Sequence, residues 1–241
     1  MSAIARLTPF WVFPCRGRVH SVFQRVVNLM LETAGEERML ALCAPGLPRL
    51  PDSICLPEAV LEEMEPGMEA LLTQDSLTVN GHSFPLTSDT EWTGFLRPHP
   101  GQPDWQALRR LTAGLHSGWD RFPPKVLERA RQALQNKQAQ NYLGLGSGLT
   151  PSFDDACVGV MALCRAMGRP APFLLDDLSQ TTDVSARYLQ LAKEGYFGEP
   201  MVNLMDALYG TGSLSEKVEQ LLAVGATSGS DMLYGICAFF T

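Results

Sequence analysis

The sequence predicts an α+β protein, with an N-terminal β-rich domain over residues 1–98 followed by a C-terminal helical bundle-like domain over residues 99–241. Three observations lead there. Short alternating apolar runs broken by turn residues fill the first hundred positions, and a proline-rich break follows at Arg97-Pro98-His99-Pro100-Gly101-Gln102-Pro103. From Asp104 onward the apolar period becomes helical.

In the first domain, residues 18–30 are rich in β-branched and aromatic side chains, and their alternation predicts one strand with a buried face. Residues 38–43 predict a second strand, stopped by Pro45-Gly46, with a turn at Ala34-Gly35-Glu36 between the two. Pro48, Pro51 and Pro57 break any long element, and residues 56–64 read as a short helix or an irregular crossing. Asn80-Gly81, set between two alternating runs over residues 76–86, is the signature of a type I′ hairpin.

After the break, Trp105, Leu108, Leu111, Thr112 and Leu115 share one helical face, and a second helix follows Pro123-Pro124 with Val126, Leu127, Ala130 and Leu134 as its buried stripe. A helix from Ser152 to about Met167 is apolar nearly all round, which predicts a central position. Further helices are expected over residues 184–193, 200–209, 214–224 and from Ser228 onward, and the terminal Phe239-Phe240-Thr241 reads as a covered end.

Composition excludes several classes of function. The chain of 241 residues is 45% apolar and 19% charged, and no apolar run approaches the roughly 20 residues of a membrane-spanning helix. Its start lacks the charged region and apolar core of a secretory signal, which predicts a cytoplasmic location. A net charge of -7 leaves no electrostatic footprint for nucleic acid. The six cysteines include no CxxC and meet no histidine at ligand spacing, so they read as buried thiols and no metal site is expected of them. His20, His82, His99 and His116 are isolated, which gives no sequence support to a Ser-His-Asp or Cys-His arrangement.

The densest chemistry lies in Gly144-Leu145-Gly146-Ser147-Gly148-Leu149-Thr150-Pro151-Ser152-Phe153-Asp154-Asp155, three alternating glycines feeding a helix start. Gly225-Ala226-Thr227-Ser228-Gly229-Ser230-Asp231 repeats the theme of glycine, hydroxyls and an aspartate just inside a helix. Capping boxes from Ser152 to Asp155 and from Ser228 to Asp231 would account for both spacings. They would leave Asp154 and two of the glycines without a role, so a ligand site is the leading reading and capping alone the other.

A Walker lysine and the strand-to-helix setting of a dinucleotide fingerprint are both missing. A helix N-terminus favours an anion by about 0.3 to 2 kcal/mol, whereas one carboxylate ~5 Å from a bound negative charge costs about 3 kcal/mol at an effective dielectric near 20. A phosphate at this loop therefore requires Asp154 and Asp155 to be held by caps, basic residues or a divalent cation. An N–H-rich amide or ureido ligand is the other solution.

These two motifs, together with Ser185-Ala186-Arg187-Tyr188-Leu189, Ala192 and Gly195-Tyr196-Phe197, resemble the AllH family; residues 17–22 and Val26, Asn28 and Leu29 extend the likeness into the first half. Where that family commonly carries Gly or His, this chain has Phe153. The resemblance implies a subunit of oxamate carbamoyltransferase working beside AllF-like and AllG-like subunits in allantoin and purine breakdown. It also implies carbamoyl transfer between oxalurate plus phosphate and oxamate plus carbamoyl phosphate, with small anionic or ureido substrates.

On that reading Gly146, Gly148, Thr150, Ser152, Thr227 and Ser228 bind ligand, while Asp154, Asp155 and Asp231 are the catalytic candidates. Two rivals stand beside it. One is a non-catalytic assembly subunit whose aspartates are caps. The other is a hydrolase of an amide or ureide in which Asp154, Asp155 and Asp231 hold Mg or a similar cation.

Overall fold

The computed structural model describes residues 3–239, so Phe240 and Thr241 of the expected covered end lie outside it. The chain divides into two compact units, one ending at Gly94 and the other beginning at Phe95.

Eight strands make the first unit: β1 (Ala3–Arg6), β2 (Cys15–Val22), β3 (Val26–Thr33), β4 (Glu36–Cys43), β5 (Ser53–Cys55), β6 (Glu69–Leu72), β7 (Ser76–Val79) and β8 (His82–Ser88). They close into a barrel in the order β1-β5-β4-β3-β2-β6-β7-β8, so no strand edge is left unpaired. Among the described residues β1 with β8 and β4 with β5 run parallel, and the other neighbouring pairs run antiparallel. One short helix, α1 (Glu58–Glu62), follows β5.

The single strand expected over residues 18–30 is corrected: the chain reverses at Phe23-Gln24-Arg25, and β2 pairs with β3. Alternation continues through the reversal, which is why the pattern read as one strand. Two-residue turns with positive φ join the next pairs, at Ala34-Gly35 (52° and 82°) and at Asn80-Gly81 (48° and 83°), as the right-handed twist of the flanking strands requires. At Gly17 a Cβ would lie 1.9 Å from the Met30 carbonyl oxygen, so only glycine lets β2 and β3 approach as they do. Leu29, Leu31, Leu40, Leu42, Ile54, Leu72 and Leu77 fill the interior.

The second unit holds α2 (Trp105–Thr112), α3 (Pro124–Ala133), α4 (Ser152–Ala166), α5 (Asp183–Glu194), α6 (Glu199–Leu208), α7 (Leu214–Leu222) and α8 (Ser228–Ala238), with 3-10 turns at Gly118–Arg121 and Ala139–Tyr142. Every residue of α4 except Arg165 is buried. Backbone-to-backbone contact joins α4 and α8: a Cβ on Gly159 would sit 2.0 Å from the Met232 carbonyl oxygen, and one on Gly235 would sit 2.1 Å from that of Ala156.

The proline-rich segment expected as a domain break is fastened to this unit, through the His99 N–H to the Ala166 carbonyl at 2.8 Å and the Asp104 N–H to the Leu208 carbonyl at 2.9 Å. The expected fold class is therefore corrected. The molecule is mixed α+β, but its strands form a closed eight-stranded barrel, and its second half is a buried central helix enclosed by short helices and turns instead of a bundle of like helices. Sheet closure and helix enclosure depend on contacts between distant segments, which local periodicity does not carry.

Candidate functional site

The two glycine-hydroxyl-aspartate starts meet. Thr150 Oγ1 and Ser228 Oγ lie 2.8 Å apart, joining the loop before α4 to the first turn of α8. Both hydroxyls also bond the Asp155 carboxyl, which is 2% exposed. Burial pushes the Asp155 carboxyl up to about 8; the Ser228 and Thr150 hydroxyls oppose the rise, and the charges of Asp231 and Asp154 add to it. Burial thus favours the protonated form of Asp155.

Asp154 faces another way. Its Oδ1 accepts the Gly144 N–H at 2.9 Å, and its Oδ2 accepts the hydroxyls of Thr181 and of Ser185, the latter at 2.7 Å. Burial raises its pKa, against those three donors. This carboxyl ties the glycine loop to the start of α5. The Thr182 hydroxyl strengthens the tie by donating to the Leu149 carbonyl while capping α5 through the Ser185 N–H at 3.0 Å.

Asp231 accepts the Gly118 N–H at 2.7 Å, with the Ser152 and Thr227 hydroxyls beside it. Burial raises its pKa, and these three donors and Arg121 pull the other way. A Cβ on Gly118 would come within 2.3 Å of Ser152 Oγ and 2.7 Å of Asp231 Oδ2, so this glycine is what admits the contact. One oxygen of Asp155 and one of Asp231, the Oδ2 of each, are buried without a hydrogen bond of ordinary geometry.

The capping boxes expected at Ser152 and Ser228 do not form. Pro151 and Thr227 occupy the cap positions, neither with a side-chain capping bond, and Ser152 and Ser228 already lie inside their helices. Each of the three aspartates takes at least one donor from a distant segment.

The predicted ligand residues separate into two sets. Ser152 is buried beside Asp231, and Gly146 is pressed against the helix start, where a Cβ would lie 2.3 Å from the Ser152 nitrogen. The Phe153 N–H is taken by the Leu145 carbonyl at 3.0 Å, so the loop caps its own helix. Gly148 is exposed with open space around it, and Thr150, Thr227 and Ser228 are half-buried. Phe153 packs in the core between Trp119 and Tyr142, at ring separations of 5.9 and 5.5 Å.

Gly118, Thr181 and the role of Ser185 as a partner of Asp154 escaped the sequence reading. Gly118 stands between Ser117 and Trp119 with no motif around it, and only the fold brings it to Asp231, 113 positions away. Among the described residues no three His, Cys, Asp or Glu side chains are gathered to hold a metal ion, and no helix is long and apolar enough to cross a membrane.

A family model described as oxamate carbamoyltransferase subunit AllH matches residues 142–240, and one described as AllH family N-terminal domain matches residues 3–91. No solved structure matches the chain. The first match runs from the turn before the glycine loop to the end of α8, taking in all three aspartates with Thr150, Ser185 and Ser228, and the second spans the barrel. With both of its units matched in this way, the chain belongs to the AllH family.

Proposed function

We propose that this chain is a carbamoyltransferase subunit that carries part of the active site at the junction of α4 and α8. The observation that carries the reading is the Thr150–Ser228 hydrogen bond, whose two hydroxyls both bond the buried Asp155 carboxyl. The reaction is the transfer of the carbamoyl group of oxalurate to phosphate, giving oxamate and carbamoyl phosphate within allantoin breakdown in the cytoplasm, beside AllF-like and AllG-like subunits.

A phosphate oxygen forms its bond to the carbamoyl carbon, the bond from that carbon to nitrogen breaks, and the departing oxamate nitrogen takes a proton. Thr150 and Ser228 present hydroxyls to the ureido group between the exposed Gly148 and the half-buried Thr227. Asp155, behind those hydroxyls, supplies the proton through them. Ser152, Asp154, Asp231 and Gly146 hold the frame.

A second reading, an assembly subunit with no catalytic group, draws on the way the loop spends its own donors, as in the Phe153 N–H to Leu145 bond. An assay of carbamoyl phosphate formation from oxalurate and phosphate separates the two, run with this chain alone, with its two partners, and with Asp155→Asn in the full set. The active-site reading expects a loss of about a hundredfold or more in a still-assembled Asp155→Asn complex, about 2.7 kcal/mol of transition-state stabilisation. Activity that needs the chain and survives the substitution makes it a scaffold.

A further inference from the structure

Cys43 ends β4 and Cys55 ends β5, and the register of these neighbouring parallel strands sets the two residues directly opposite each other. The Leu56 N–H donates to the Cys43 carbonyl at 3.0 Å, in keeping with that register. Leu42 and Ile54, one position earlier in each strand, are fully buried in the barrel interior. Alternation along a strand then turns both cysteines to the outer face. β1 agrees, because Ile4, the partner of Cys55 on that side, is 43% exposed.

Paired strands lie about 4.8 Å apart, within the roughly 4.4 to 6.8 Å between Cα atoms that a disulfide spans. Both thiols are free, Cys43 buried and Cys55 half-buried.

We propose that Cys43 and Cys55 are a modification site of this protein, a dithiol that a peroxide converts to a disulfide across the outer face of the barrel. Its chemistry is separate from the carbamoyltransferase reading. The better exposed Cys55 reacts first: its thiolate sulfur attacks peroxide, the O–O bond breaks, water leaves and a sulfenic acid remains. The Cys43 sulfur then displaces the hydroxyl, which departs as water as the S–S bond forms. Two thiols and one hydrogen peroxide give one disulfide and two waters, the sulfurs oxidised and the peroxide reduced.

Burial pushes the Cys43 thiol up to about 11, with Cys55 adding to the rise and Arg6 opposing it, so Cys43 is the poorer first nucleophile toward peroxide.

The test is peptide mapping of the full chain after peroxide treatment without reductant. Arg49 lies between the two cysteines, so trypsin separates them unless the bond holds them together. The expected result is one linked species carrying both cysteines, lighter than the sum of its peptides by two hydrogens and released by dithiothreitol. Cys43→Ser should abolish the link and leave a Cys55 sulfenic acid that dimedone traps, with an unchanged circular dichroism spectrum. Oxidised wild-type chain whose two peptides remain separate, or in which Cys43 is linked to another cysteine, overturns the proposal.

Discussion

The barrel and the helical unit both bury carboxylates, and they put them to different use. In the barrel, Asp52 accepts the Thr8 N–H and the Trp11 indole N–H, each at 2.8 Å, two donors from one short stretch of chain. In the helical unit, Asp154, Asp155 and Asp231 collect donors from the segments around Gly118, Gly144, Thr150, Thr181, Ser185 and Ser228. Burying a carboxyl is unfavourable unless hydrogen bonds offset the lost hydration. One such group can fasten a loop, but three at two helix starts that meet concentrate a cost that packing alone does not require. That concentration separates the candidate site from the scaffold.

Removing acceptors tests the contrast most strongly. Asp154→Ala strands three donors and should lower stability by about 3 kcal/mol, against about 2 kcal/mol for Asp52→Ala, because each buried unmet donor costs on the order of 1 kcal/mol or more. Urea unfolding measures both losses. A smaller loss at Asp154 than at Asp52 would dissolve the distinction between the two regions.

The pH dependence of stability is the next largest effect. The folded pKa of Asp155, about 8, lies above its unfolded value of 3.8, so the folded state binds the extra proton. The stabilisation is fully present below the unfolded value and is lost as pH rises through the folded one. Between those two values this group alone lowers stability by about 1.4 kcal/mol per pH unit, and its contribution levels off above them. Asp155→Asn should flatten that slope, measured as the difference between the two proteins' unfolding free energies across the range. A slope unchanged by the substitution would mean that the carboxyl is ionised in the folded protein.

The smallest effects sharpen the comparison at turns. Thr182→Val removes the cap of α5 and the tie to Leu149, costing about 1 kcal/mol, and should also speed amide exchange at Gly144 and Phe153 in the glycine loop. Gly81→Ala in the barrel hairpin should cost a similar amount, since φ is +83° there, but should leave that loop's exchange unchanged. Equal exchange in the two variants would mean that the Thr182 tie does not order the loop.

Much of the local structure was legible. The Asn80-Gly81 turn, α3 beginning at Pro124, the nearly all-buried α4 and the helix start at Ser228 stand where turn chemistry and apolar period put them. The reversal after β2 was not legible, because alternation ran on through Phe23-Gln24-Arg25. At the site, the residue types were legible and their partners were not. Ser152 and Ser228 have the spacing of caps, yet Ser152 lies beside Asp231 and Ser228 bonds Thr150 and Asp155.

By itself the sequence determined what depends on neighbours along the chain: turn types, helix starts, buried stripes, and the ordered motifs that place this chain in its family. The tertiary structure alone decided the closure of the barrel, the inward turn of Ser152, the use of Gly118 as a donor and the raised pKa of Asp155. Each of these depends on groups brought together from far along the chain, and on burial, which local periodicity expresses only as a tendency toward the inside.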